Sequence, residues 1–239
     1  MDMPRKLFID RVLALIEVLL LTGLLSSLLA VLPFFAFRKK SLELLTTDVR
    51  TISLFLLLEA GITMVLLMLI LKAHRETLRS LGLRWERWRS DLITGLGLVP
   101  FLFLINAGVS FAFRTYLPKY YTEKNPLTEL IHSPQQLGIF IFSALVAGGL
   151  KEELQRAFIL NRFGRYLGGS GLGLVLWSLV FGAGHYVQGV QGIVIATIYG
   201  FVLGATYLLS KSLVPPFVAH GAYDALALVV YWFSSGRFH

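Results

Sequence analysis

Cysteine is absent from the 239 residues, and with it go thiol nucleophiles, disulfides and Cys-ligated metal centres. Charge is scarce too: Asp, Glu, Lys and Arg make up 15% of the chain against 56% hydrophobic residues, where soluble domains carry about 25% charged residues. That shortage excludes an attached soluble domain and leaves one polytopic membrane domain, of mean hydropathy +0.71. Acidic residues are the rarer sign, 14 against 22 Lys and Arg, for a net charge of +8. The cations sit in short loops between apolar runs and form no large soluble face, so they report membrane orientation rather than a nucleic-acid partner. Any peptide hydrolysis must rest on a carboxylate, a hydroxyl, or a metal held by His and Asp/Glu.

Long apolar runs are what the chain has in their place. They cover residues 12–37, 51–73, 92–113, 137–160, 171–188, 190–209 and 213–233, each near the roughly 20 residues that cross a bilayer as helix. The expected fold is all-α: a polytopic transmembrane helical bundle of about seven spans. The first run is longer than a signal-peptide core and continues without a small-residue cleavage site into Pro33-Phe34-Phe35, so it reads as a retained span. Gly189, Gly192, Pro215 and Pro216 mark places where the last spans break or turn back. With the N-terminus inside, the inner loops hold 12 Lys and Arg and the outer ones 8, which favours that orientation. Most of the bias lies at residues 74–89, where Trp85 and Trp88 among arginines suggest a segment resting on anionic lipid.

The charge scarcity has one exception. After the uncharged run 137–150, Lys151, Glu152, Glu153 and Arg156 fall inside an apolar helix, and ionisable groups at that depth default to a functional reading. At 100° per residue Arg156 stands about 40° from Glu152 and about 60° from Glu153, so it can pair with either. Two further clusters follow. Phe181 and His185 are one turn apart, with Gly182 and Gly184 leaving room for another backbone; His220 and Asp224 are also one turn apart, so the carboxylate can orient the ring. Polar groups in three apolar helices cost least when they converge. Glu17 and Glu59 stand alone in their runs and are expected to pack against polar neighbours. His74 and His132 lie in loops and are expected to be solvated, and Gly200 with Gly204 gives the spacing of close helix packing.

The order Glu-Glu…Arg, Phe-x-x-x-His, His-x-x-x-Asp resembles the CPBP family of CAAX proteases, abortive-infection and bacteriocin-processing proteins. The matching stretches are EELQRAFIL at 152–160, FGAGH at 181–185 and VPPFVAHGAYDAL at 214–226, with GFVLGATYLL between the last two. The resemblance covers about residues 137–230. It implies an intramembrane endopeptidase acting on a peptide or membrane-protein substrate in the bilayer, with Glu152 as general base and Glu153 and Arg156 as its supporting pair. It further implies His185 as second catalytic group and His220 with Asp224 on the oxyanion side. Domain limits follow: N-terminal spans and loops at 1–136, a catalytic membrane core at 137–233 and a short tail at 234–239. The expected location is an integral, bacterial cytoplasmic membrane, with the N-terminus inside.

Two departures from the family pattern bear on roles. The usual spacing is Glu-Glu-x-x-x-Arg, whereas Arg156 comes one residue early. Counted from the glutamates, Glu152 is the base; counted from the arginine, Lys151 takes that place and Glu152 becomes the supporting carboxylate. Asp224 stands where eukaryotic members carry Asn, and an ionised Asp cannot donate a hydrogen bond. No cofactor is expected. The rival zinc reading uses the same carboxylates and imidazoles, without an H-E-x-x-H helix. A serine mechanism would use Ser170 in Gly168-Gly169-Ser170-Gly171. From another class, the same fold would serve as a non-enzymatic scaffold or bacteriocin-immunity protein, and a proton-coupled transporter is the remaining reading, without a visible inverted repeat.

Overall fold

The computed structural model describes residues 3–38 and 48–236, with side chains from residue 7 to 35 and from residue 48 onward. Lys39, Lys40 and Arg237, three of the loop cations in the orientation count, lie outside the described residues, as does the tail beyond residue 236. Every regular element among the described residues is helical. Besides short 3-10 turns at Leu78–Leu81, Pro118–Tyr120 and Tyr186–Gln188, these are in chain order α1 (Met3–Leu20), α2 (Leu24–Arg38), α3 (Val49–Ala73), α4 (Trp88–Tyr116), α5 (Pro126–Glu129) and α6 (Pro134–Ala144). A π-helical segment (Leu145–Glu152) leads without a break into α7 (Glu153–Tyr166), followed by α8 (Ser170–Gly184), α9 (Gly189–Ser210) and α10 (Val214–Ser234). The protein is an integral membrane protein with five helical stretches long and apolar enough to cross: Leu7–Phe35, Val49–Ala73, Trp88–Tyr116, Tyr186–Ser210 and Val214–Ser234.

Two of the seven expected spans are helical without meeting that standard. The run at 137–160 lies in the continuous helix α6–π–α7, whose charged residues crowd its middle. The run at 171–188 ends at Gly184, making α8 a 15-residue helix of about 22 Å, against roughly 30 Å of hydrocarbon. The first run also differs: it is two helices. Gly23 takes φ +95°, a left-handed conformation that favours glycine, and the break stops the helical ladder after Leu21. The freed carbonyl of Leu21 accepts a hydrogen bond from Gln155 Nε2 on α7.

Packing brings the remote parts together around α7. Helix α8 lies along α9, and α10 fits between α4 and the π segment. Gly200 has the close-packing role its spacing suggests: a Cβ there would stand 3.0 Å from Ser178 Cα. Gly204 makes room for Leu174 of α8, whose Cδ1 would be 2.5 Å from an added Cβ. Arg162, 1% exposed, fastens α7 to the other end of the chain: Nε reaches Glu17 Oε2 at 2.7 Å and Nη1 reaches Glu76 Oε2 at 2.9 Å. Glu17 therefore has polar neighbours, and one of them is His74, which is exposed but hydrogen-bonded to it rather than merely solvated. His132 is exposed as expected. Trp85 and Trp88 are exposed too, and Arg89 lies over the Trp88 ring at 5.4 Å.

Candidate functional site

The centre of the site is made by Glu153, Arg156 and His220. The π segment ends at Glu152, so ordinary α spacing begins with Glu153, and Arg156 one turn on forms its ion pair with Glu153 Oε1. The sequence geometry left either glutamate open; the pair that forms is the i,i+3 one within α7. His220 Nδ1 donates to the same Oε1 at 2.7 Å across from α10. Glu153 is 1% exposed and Arg156 0%, so this is a buried triad in which the carboxylate holds both a guanidinium and an imidazole. The guanidinium carbon of Arg156 also sits 4.9 Å from the centre of the Phe181 ring, a cation–π contact that adds to the ion pair.

Glu152 stands beside that triad and faces the open side. Its side chain keeps 20% exposure. One oxygen, Oε1, lies 3.5 Å from Lys151 Nζ; the other, Oε2, lies 3.9 Å from His220 Nε2, a gap beyond direct hydrogen bonding but suited to a shared water. Lys151 continues the chain of charges to α3, where its ammonium meets Glu59 Oε2 at 2.9 Å. Glu59 Oε1 in turn accepts from Ser26 Oγ at 2.8 Å and Thr63 Oγ1 at 3.2 Å. Glu59 and Lys151 are both buried.

Two glycines allow this approach. A Cβ on Gly148 would stand 2.7 Å from Asp224 Oδ2 and 3.5 Å from His220 Nε2, and one on Gly149 would stand 3.3 Å from Gly221 Cα. Only bare backbone lets the π segment come this close to α10.

Of the six expected site residues, Glu152, Glu153, Arg156, His220 and Asp224 meet in one cluster. Asp224 Oδ2 lies 3.6 Å from His220 Nε2, beyond hydrogen-bond reach. The one-turn spacing suggested that Asp224 orients the ring; the close partner is Glu153, which takes Nδ1. His185 sits at the end of α8, where Nδ1 donates to the Phe181 carbonyl at 2.8 Å. That carbonyl can only accept, so Nδ1 carries the hydrogen and Nε2 is the acceptor of the neutral ring. His185 joins the cluster through Phe181, whose ring is 4.7 Å from His185 and 6.0 Å from His220. Ser170 opens α8 at its other end, about 16 Å of helix from Phe181. Among the described residues no three His, Asp or Glu side chains form a group able to hold a metal ion.

Sequence reasoning missed Glu59 and Lys151 as a pair and passed over Gln155. A signal existed: a carboxylate inside an apolar run needs a cation, and Lys151 was the membrane cation without a partner.

A polytopic helical membrane protein holding carboxylates, imidazoles and a guanidinium in one buried cluster is the class that fold and site define. Residues 133–226 match the family model described as Type II CAAX prenyl endopeptidase Rce1-like, so this stretch is similar to that family. No curated protein and no solved structure matches the chain.

Proposed function

We propose that the protein is an intramembrane endopeptidase of the CAAX-protease type, in which Glu152 is the general base. The observation that carries this reading is the division of labour between neighbouring carboxylates: Glu153 is buried and committed to Arg156 and His220, whereas Glu152 is partly exposed with His220 Nε2 3.9 Å away. A base needs access to water, and of the two carboxylates the partly exposed Glu152 is the one that a water can reach without displacing an ion pair. Glu152 takes one proton from a water held between it and His220, and the hydroxide adds to the scissile carbonyl carbon. His220, fixed by Glu153 at Nδ1, presents Nε2 to the same space, where a proton on that nitrogen donates to the oxyanion. Collapse of the tetrahedral intermediate breaks the C–N bond, and the proton on Glu152 passes to the leaving amine. His185, held by the Phe181 carbonyl, is the second imidazole, linked to the cluster through the Phe181 ring, and Asp224 lies beside His220.

The substrate class suggested by the family's name is a prenylated C-terminal peptide, and a bacterial cytoplasmic membrane with the N-terminus inside fits the loop cations. No cofactor enters this mechanism. The test is hydrolysis of a fluorogenic peptide ending in a farnesylated cysteine and three further residues, by membranes containing the wild type or Glu152→Gln. Loss of turnover at unchanged abundance, by about 10²–10⁴-fold for removal of a general base, is the expected result. Equal behaviour of the two proteins would favour a scaffold or immunity role instead.

A further inference from the structure

We infer that Glu59, on α3 and outside the Rce1-like segment, is a positioning residue for Glu152 and acts on it through Lys151. The inference rests on Glu152 being the base. Lys151 is the next residue before Glu152, and its ammonium lies between two carboxylates, 2.9 Å from Glu59 Oε2 and 3.5 Å from Glu152 Oε1. The shorter contact is with Glu59. Glu59 is itself fixed: Ser26 from α2 and Thr63 one turn along α3 both donate to its other oxygen, and Ser26, Glu59, Thr63 and Lys151 are all buried. A carboxylate whose two oxygens are both occupied is a rigid anchor.

That anchor decides what Lys151 does to the base. A buried ammonium must have an anion. With Glu59 in place it has one, and Glu152 is held by a longer contact that leaves its Oε2 toward His220. Without Glu59 the nearest remaining anion is Glu152, and the ammonium would close on the oxygen that should receive a proton from water. Glu59 thus keeps the lysine from quenching its neighbour. The charged and titratable groups around Glu152 are Lys151 on its own helix, Glu153 and Arg156 on α7, His220 and Asp224 on α10, His185 at the end of α8 and Glu59 on α3 behind the lysine.

The experiment uses the full chain in membranes and the farnesylated fluorogenic peptide. Glu59→Gln is expected to lower kcat about 10- to 100-fold with KM unchanged, the range that misplacement of a reacting group costs. Adding Lys151→Met to Glu59→Gln is expected to return part of that rate, because the double variant removes the quenching cation along with its anchor. A structural role alone predicts that rate and abundance fall and recover together, because removing both members of a buried pair costs less than stranding one; the positioning role predicts that kcat per folded molecule changes. Full activity of Glu59→Gln, or no recovery in the double variant, overturns the inference. The contact is tested separately: since the chain has no cysteine, Glu59→Cys with Lys151→Cys carries the only two thiols, and a short bis-maleimide should join them. Failure to join them overturns the geometry. If the wild type leaves the peptide intact while the thiols do join, the proposed function fails and the Glu59–Lys151 contact stands.

Discussion

Gly149 and Gly221 face each other across the π segment and α10 so closely that a Cβ on Gly149 would stand 3.3 Å from the Gly221 Cα. Distances of that kind are set by backbone, which cannot move aside as a flexible side chain can. Gly149→Val is therefore expected to push α10 away from Glu153, breaking the 2.7 Å contact of His220 and lowering both abundance and turnover. Gly148→Ala is the milder test. Its Cβ meets Asp224 Oδ2 at 2.7 Å, so activity should fall more than the melting temperature does.

Arg156→Ala would strand Glu153 with only His220 as partner. Breaking a buried pair by removing one member costs about 3–5 kcal/mol, so the detergent-solubilised variant should melt much earlier and accumulate poorly. Glu153→Gln strands the guanidinium in the same way. It should lower abundance as well as rate, and in that it differs from Glu152→Gln, which is expected to leave abundance unchanged. Equal abundance of Glu152→Gln and Glu153→Gln, with only the latter inactive, would reverse the assignment of the base.

Ser170→Ala should leave turnover within about twofold and stability within about 0.5 kcal/mol, as for a substitution away from a packed or catalytic feature. Ser170 is at the far end of α8 from Phe181 and His185. Inactivity at normal expression would restore the serine mechanism.

Arg162→Met removes a buried cation that holds Glu17 and Glu76. The expected loss is again about 3–5 kcal/mol, read as a fall in melting temperature. Combined with Glu17→Gln, the loss should be smaller than the sum of the two, since partners in one ion-pair network are not additive. Additive effects would show that the two residues do not share a contact.

The helical class was legible because lipid leaves few alternatives for long apolar runs. The motif residues were legible because charge in such runs is rare enough to be counted. What composition could not give was the exact helical step. The π segment at Leu145–Glu152 has no single residue that announces it, and the helical angles alone left Arg156 able to pair with either glutamate. The break at Gly23 is similar: one glycine inside an apolar run is compatible with an unbroken span, and it becomes a helix end here because Gln155 is in place to satisfy the Leu21 carbonyl. The span count turned on length as well as polarity, since hydropathy alone does not show that α8 stops at Gly184.

The long separations across these contacts bear on how the chain is made. Arg162 meets Glu17 across 145 residues, and Gln155 meets Leu21 across 134. Synthesis proceeds from the N-terminus, so α1, α2 and α3 leave the ribosome with Glu17 and Glu59 in apolar surroundings well before Arg162 and Lys151 exist. The first three helices are thus an unfinished unit during biogenesis, and α7 completes them. A truncated chain ending before residue 151 would leave Glu17 without Arg162 and Glu59 without Lys151, so the N-terminal helices would reach the insertion machinery with their buried charges only partly compensated.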